Sequence, residues 1–122
     1  MSISFEGIGE VSATFLVKKD SSGASTVKPG NVVCLTGNNE VGLGTSGTVP
    51  FGVAASVSGD CYAGVVISGL VEVPYTGTTA PTAGWNTMAA NGSGGMTVVT
   101  EKGASFLVVS VDTTAETAVV KF

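Results

Sequence analysis

The chain has no histidine and no arginine, and its cations are five lysines: Lys18, Lys19, Lys28, Lys102 and Lys121. A histidine general base, a Ser-His-Asp triad and a histidine-held metal are excluded at once. Nucleic-acid binding draws on a basic face and arginine forks. The formal net charge here is -4, so no nucleic-acid partner is expected. Charge of either sign is scarce, 11% of residues, against about 25% in an ordinary soluble domain. Long apolar runs are missing too. The longest, such as residues 106–109, fall far short of the ~20 residues a helix needs to cross a bilayer, so no membrane partner is expected. There are two cysteines, Cys34 and Cys61, each in a strand-like apolar segment. They read as buried thiols acting as small hydrophobes, with a disulfide between them left open. No CxxC spacing exists to hold zinc. Residues 1–10 carry Glu6 and Glu10 and no basic start. That predicts a chain made and folded in a cytoplasm rather than one led by a secretory signal.

What is abundant is glycine (18 residues), valine, threonine, serine and alanine. Valine and threonine favour strands, and glycine punctuates them. Hydrophobic residues make up 43% of the 122 residues, enough for the core of one domain and too many for a disordered chain. No helix-length stretch repeats its apolar residues at 3.6 spacing, so the expected class is all-β. Alternation and breakers place strands at 11–17, 31–35, 40–43, 51–57, 61–67, 70–73, 85–89, 96–100, 106–111 and 115–122. Lys28-Pro29-Gly30 and Gly37-Asn38-Asn39 supply turns. Pro74 limits its strand to an edge or an end. Leu107, Val109 and Val111 share one face by alternation.

A faint internal repeat runs through the pattern. Gly30 and Gly84 each open an extended pair, Phe51 and Phe106 each open the next strand, and Val65 and Val119 fall in the one after. The separations are 54, 55 and 54 residues. Two similar β-motifs are expected, closed into a small β-barrel or packed as a β-sandwich, which also limits exposed edges. Residues 1–27 precede the repeat and end in a Ser/Gly/Ala-rich stretch. They read as an extended N-terminal arm or edge strand, with residues 28–122 as the body. The strand at 11–17 pairs either at an edge of the body or with another chain.

Chemistry is thin. A serine nucleophile needs a base beside it, and Ser25 near Lys28 is the nearest pair. The nine carboxylates fall mostly in turns and at strand ends, where solvated charge is the plain reading. No calcium-loop periodicity and no phosphate-cradling glycine loop occur. No enzyme activity, metal or cofactor is expected. Glu72 differs, standing between Val71 and Val73 and facing away from them. It reads as a solvated outer residue or as a charged contact that fixes a partner's register. Trp85 and Tyr75, with Tyr62 behind them, offer a stacking platform if the chain is a cell-surface carbohydrate-binding or adhesin module. The low-charge surface suits a protein built into a large assembly or exposed outside a cell.

One order of motifs narrows this. Lys28-Pro29-Gly30-Asn31-Val32-Val33 is followed by Phe51-Gly52-Val53-Ala54, then by Ala63-Gly64-Val65-Val66-Ile67-Ser68-Gly69-Leu70-Val71-Glu72-Val73-Pro74. A strand pair opened by Gly84 and closing with residues 106–111 comes last. This order, over residues 28–122, resembles the small capsid decoration (cement) proteins of tailed bacteriophages. The second Gly-Val-Ala appears as Phe106-Leu107-Val108-Val109, without the glycine or the alanine. The resemblance implies a structural protein on the outer surface of the expanded head. It implies a homo-trimer that bridges neighbouring major capsid proteins, in a virion assembled from parts made in the host cytoplasm. The capsid contacts expected under it are Phe5, Val11, Ala13, Phe15 and Val17 of the arm, with Glu72. Another virion part, in a tail tube, head-completion site or fibre, is the alternative.

Overall fold

The structure, a computed structural model, describes residues 10–122. Ten strands and no helix lie among them. They are β1 (Val11–Val17), β2 (Val32–Gly37), β3 (Glu40–Gly42), β4 (Gly52–Val57) and β5 (Tyr62–Ser68), then β6 (Leu70–Thr76), β7 (Gly84–Ala90), β8 (Met96–Val98), β9 (Ala104–Asp112) and β10 (Thr117–Lys121). Each expected strand is present, with ends shifted by a few residues. The first five close into one barrel in the order β1-β3-β2-β4-β5, and the last five into a second in the order β10-β6-β8-β7-β9.

The two barrels share one wiring diagram. In each, the first strand runs parallel to the third and antiparallel to the fifth. In each, the second strand pairs antiparallel with the third and fourth, and the fourth with the fifth. A bulge recurs at the same place. Ala55 is skipped between β4 and β5, and Val109 between β9 and β10. A bulge inserts one residue and shifts the alternation behind it. The inner face of β9 is therefore Phe106, Val108 and then, past the bulge, Val111, while Leu107 points outward. The shared face expected for Leu107, Val109 and Val111 does not survive that extra residue.

Core positions correspond as the wiring does. Val33, Val41, Ala54, Ala63 and Val65 fill the first barrel, and Met88, Met96, Val108, Ala118 and Val120 fill the second. The separations are 54 or 55 residues throughout this set. The expected landmarks lie in or just before corresponding strands, but one residue out of register. The bulge aligns Gly52 with Phe106, and the β5–β10 pairing aligns Val65 with Val120.

The expected boundary at residue 27/28 is absent. Residues 11–17 are neither an arm nor an edge strand: β1 is a wall of the first barrel, hydrogen-bonded to β5 on one side and β3 on the other. Val17 and Val27 are core residues of that barrel. The physical reason is closure, since a five-stranded barrel without β1 would leave β3 and β5 with bare edges. Pro74 likewise does not mark an edge. It ends the stretch of β6 that pairs with β10, and β6 then turns its other side to β8 from Tyr75 onward. Proline's missing N–H thus falls where one ladder hands over to the other.

Gly69, with φ +127°, is the sole residue between β5 and β6 and links the barrels. Its carbonyl accepts from Phe122 N at 2.9 Å. The barrels also share apolar contacts. β2 and β4 are buried on both faces at their start: Val33 and Ala54 point into the first barrel, while Val32 and Val53 join the second barrel's cluster. Consecutive valines in Val32-Val33 and Val65-Val66 mark such doubly covered strands.

Candidate docking surface

The described residues contain no group of three or more His, Cys, Asp or Glu side chains placed to hold a metal ion. Ser25 is occupied locally. Its hydroxyl donates to Val27 O at 2.9 Å and accepts from Val27 N at 3.1 Å, closing a small turn instead of facing an amine. Asp20 accepts from Ser22 Oγ at 2.6 Å, Ser22 N at 2.8 Å and Ala24 N at 3.0 Å. Those donors, the Ser22 hydroxyl foremost, hold its carboxyl below the ordinary range. Ser58 does the same for Asp60 in the turn before β5. Both carboxylates organise turns. Cys34 and Cys61 are free, buried thiols, and burial pushes the Cys34 thiol up. The disulfide left open by the sequence is not formed.

The expected contact residues separate into exposed and buried sets. Val11 is exposed at the start of β1 and Ala13 is half-buried. Phe15 packs against the first core, edge-on to Phe51 at 5.3 Å between ring centroids, and Val17 lies within that core. Val17 is therefore not available to a partner and half-buried Phe15 only in part, because alternation along a barrel strand sends them inward. Phe5 lies outside the described residues. Glu72 is exposed on β6, as alternation required, opposite Val119 of β10. Beside it lies a small surface hollow of about 110 Å³ shared with Ser110, Asp112 and Thr117.

The proposed pair of stacking residues is not a pair. Tyr75 is 5% exposed and belongs to the core of the second barrel. Trp85 is 72% exposed on the outer wall of that barrel. Tyr75 lies on the buried face of β6 that carries Val73, so its ring cannot join Trp85 in a flat platform.

Trp85 instead belongs to a cross-strand row. It sits opposite Leu107 of β9, which sits opposite Lys121 of β10. With Val49, Pro50, Phe51 and Phe122 these residues line an open groove of about 430 Å³ along the seam between the barrels. Val49 is also exposed. Tryptophan and a lysine stem at one apolar rim form an amphipathic surface, apolar in its body and polar at its tip. A second groove, of about 520 Å³, lies on the first barrel between Lys18, Leu35, Leu43 and the loop at residues 44–48. Leu35 there is 58% exposed. Sequence reading missed Leu107 and Leu35. The signal that finds them is the register of the repeat, which shows which face each occupies.

Compared with known protein families and with curated proteins, the chain finds no match in either.

Proposed function

We propose that the chain is a non-enzymatic decoration protein of a tailed-phage capsid. It binds the outer surface of the expanded head and bridges neighbouring major capsid subunits. The observation that carries this reading is the order of its glycine-punctuated motifs over residues 28–122, which resembles that of the cement proteins. Two stiff barrels joined by the single residue Gly69 suit the role, because a bridging strut transmits load only if it does not bend internally. A surface poor in charge suits a chain surrounded by other protein subunits. Contacts that are individually weak act together on a repeating lattice, and binding only the expanded form stabilises it by mass action.

The partner is the major capsid protein, and the resemblance implies trimers seated on the shell. Val11 and Glu72 remain as exposed contact residues of the expected set. Removing residues 1–27 would delete a barrel wall, so a truncation meant to test the N-terminus should stop at residue 9. The direct test is co-sedimentation of the purified chain with expanded shells lacking it, together with its copy number per particle by mass spectrometry. Saturable binding near one copy per shell subunit is the expected result. A few copies per particle would favour the tail or connector reading, and no binding would overturn both the partner and the location.

A further inference from the structure

The seam groove and the start of β1 lie at one end of the first barrel. Val11 opens β1 opposite Ser68, the last residue of β5. Phe51 precedes β4 on the other side of that same end of β5, and it lines the groove. Gly69 follows Ser68 and exchanges backbone hydrogen bonds with Phe122, a second lining residue, at 2.9 and 3.4 Å. From there the ladder runs from Lys121 to Leu107 and on to Trp85. The described residues leave Trp85 72% exposed, and Val11 is exposed as well.

The segment that precedes β1 has the composition to fill this groove. Residues 1–9 lie outside the described residues and read Met-Ser-Ile-Ser-Phe-Glu-Gly-Ile-Gly. Ile3 and Phe5 are two positions apart, so an extended run puts them on one face, with Ser2, Ser4 and Glu6 on the other. Glu6 and Glu10 are the only charged side chains of residues 1–10. Lys121 is the only charged side chain that lines the groove. The reach suffices too. From Val11 to Trp85 the path crosses four strand spacings and two chain steps, at most about 26 Å. The eight residues from Ile3 to Glu10 span about 26–29 Å when extended.

We propose that residues 1–9 cross the seam groove of their own chain, laying Phe5 and Ile3 over Leu107 and Trp85 and bringing Glu6 beside Lys121. The contact takes the largest exposed hydrophobic side chain among the described residues out of water and closes its polar rim with an ion pair. Attachment to β1 makes the contact intramolecular, which favours it over the same segment of a second copy. An exposed tryptophan beside apolar neighbours is the kind of side chain that carries interface energy. A partner that docks on Trp85 must therefore first displace this strap. The contact belongs to the free chain and is independent of the capsid reading.

Trp85 is the chain's single tryptophan, so it reports its own cover. The test compares tryptophan emission and acrylamide quenching of the full chain with those of a variant lacking residues 2–9. Far-UV circular dichroism and thermal unfolding verify that the barrels fold. The deletion is expected to shift the emission to the red and to raise the quenching. Phe5→Ser in the full-length chain moves both in the same direction, and it carries the test should the deletion variant misfold. The protection of the full chain is expected to be the same at every protein concentration, as a contact within one chain requires. Equal emission and quenching in the full chain and the deletion variant overturn the proposal, as does a Phe5→Ser variant that matches the full chain. Protection that appears only as the protein concentration rises overturns it too, and gives the groove to a second copy.

Discussion

Replacing Gly52 with alanine probes the closest approach between β4 and β5. A Cβ built at Gly52 lies 2.5 Å from the carbonyl oxygen of Val66 and 2.7 Å from Val65 Cγ1. Ordinary contact begins near 3.4 Å, so the oxygen must retreat by about 0.9 Å. That oxygen is backbone, in a strand paired on both sides by β1 and β4, and no rotamer change can move it. Overpacking of this kind costs about 1–3 kcal/mol, while alanine returns roughly 0.4–1 kcal/mol by restricting the unfolded chain. A net loss of about 1.3 kcal/mol follows, which for a domain of this size lowers Tm by roughly 5 °C and the urea midpoint by about 0.7 M. Gly64 is the internal control. Its Cβ would meet only Ser56 Oγ, at 2.8 Å, and Ser56 is an exposed side chain free to turn away. Gly64→Ala should leave the urea midpoint unchanged or raise it slightly. The reasoning fails if Gly52→Ala unfolds at the wild-type midpoint, or if the two substitutions cost the same.

Met88 is fully buried in the second core, so Met88→Ala should lose about 2–5 kcal/mol in urea denaturation, the range for deleting a large buried side chain. Val53 is buried at the contact between barrels, so Val53→Ala should cost about 2 kcal/mol and shift a single unfolding transition, read by circular dichroism and tryptophan emission alike. Both thiols are buried, so a thiol reagent at mild alkaline pH should modify neither Cys34 nor Cys61 until urea unfolds the chain. The Asp20 carboxyl titrates below its unfolded value, so what it contributes is fully present above the unfolded pKa, near 3.8, and is lost as pH falls through the lower folded value. Its NMR titration should show that depressed inflection, and Ser22→Ala should bring it back toward the ordinary range.

How much of this was legible in the sequence depends on the residue. All ten strands followed from alternation and breakers, because a barrel wall with one wet face writes a two-residue period into the chain. The number of motifs followed from the spacing of Gly30 and Gly84. Register did not, since Ala55 and Val109 look like ordinary strand residues and only the ladder reveals them as bulges. The role of β1 did not either. Its partners β3 and β5 lie far along the chain, and nothing local to residues 11–17 distinguishes a barrel wall from a free strand. Tyr75 misled for a related reason: the same alternation that put Glu72 outside puts Tyr75 inside, and pairing it with Trp85 ignored the face it occupies. Val32-Val33 and Val65-Val66 carried a signal that only the second barrel explains, because a strand covered on both faces has no reason to alternate.

The departures from internal symmetry are more informative than the symmetry itself. Where the two barrels meet, the row is three valines, stiff and compact, suited to close packing without polar groups. At the corresponding place on the second barrel the row is tryptophan, leucine and lysine. Leu107 is half-buried in the seam groove beside Phe51 and Phe122, and Trp85 stands 72% exposed at its rim. A half-covered seam has different requirements from a buried one. It must be apolar where it packs and polar at its rim where it meets water, and a lysine stem beside an indole provides both. Substituting Trp85 with valine and Lys121 with valine would turn the row into valine, leucine and valine, all apolar like the buried row, on an exposed face. The expected result is a fold that is kept and a solubility that falls, with precipitation at concentrations where the wild type stays clear. Unchanged solubility would mean that the tryptophan and lysine are not what adapts this face to being bare.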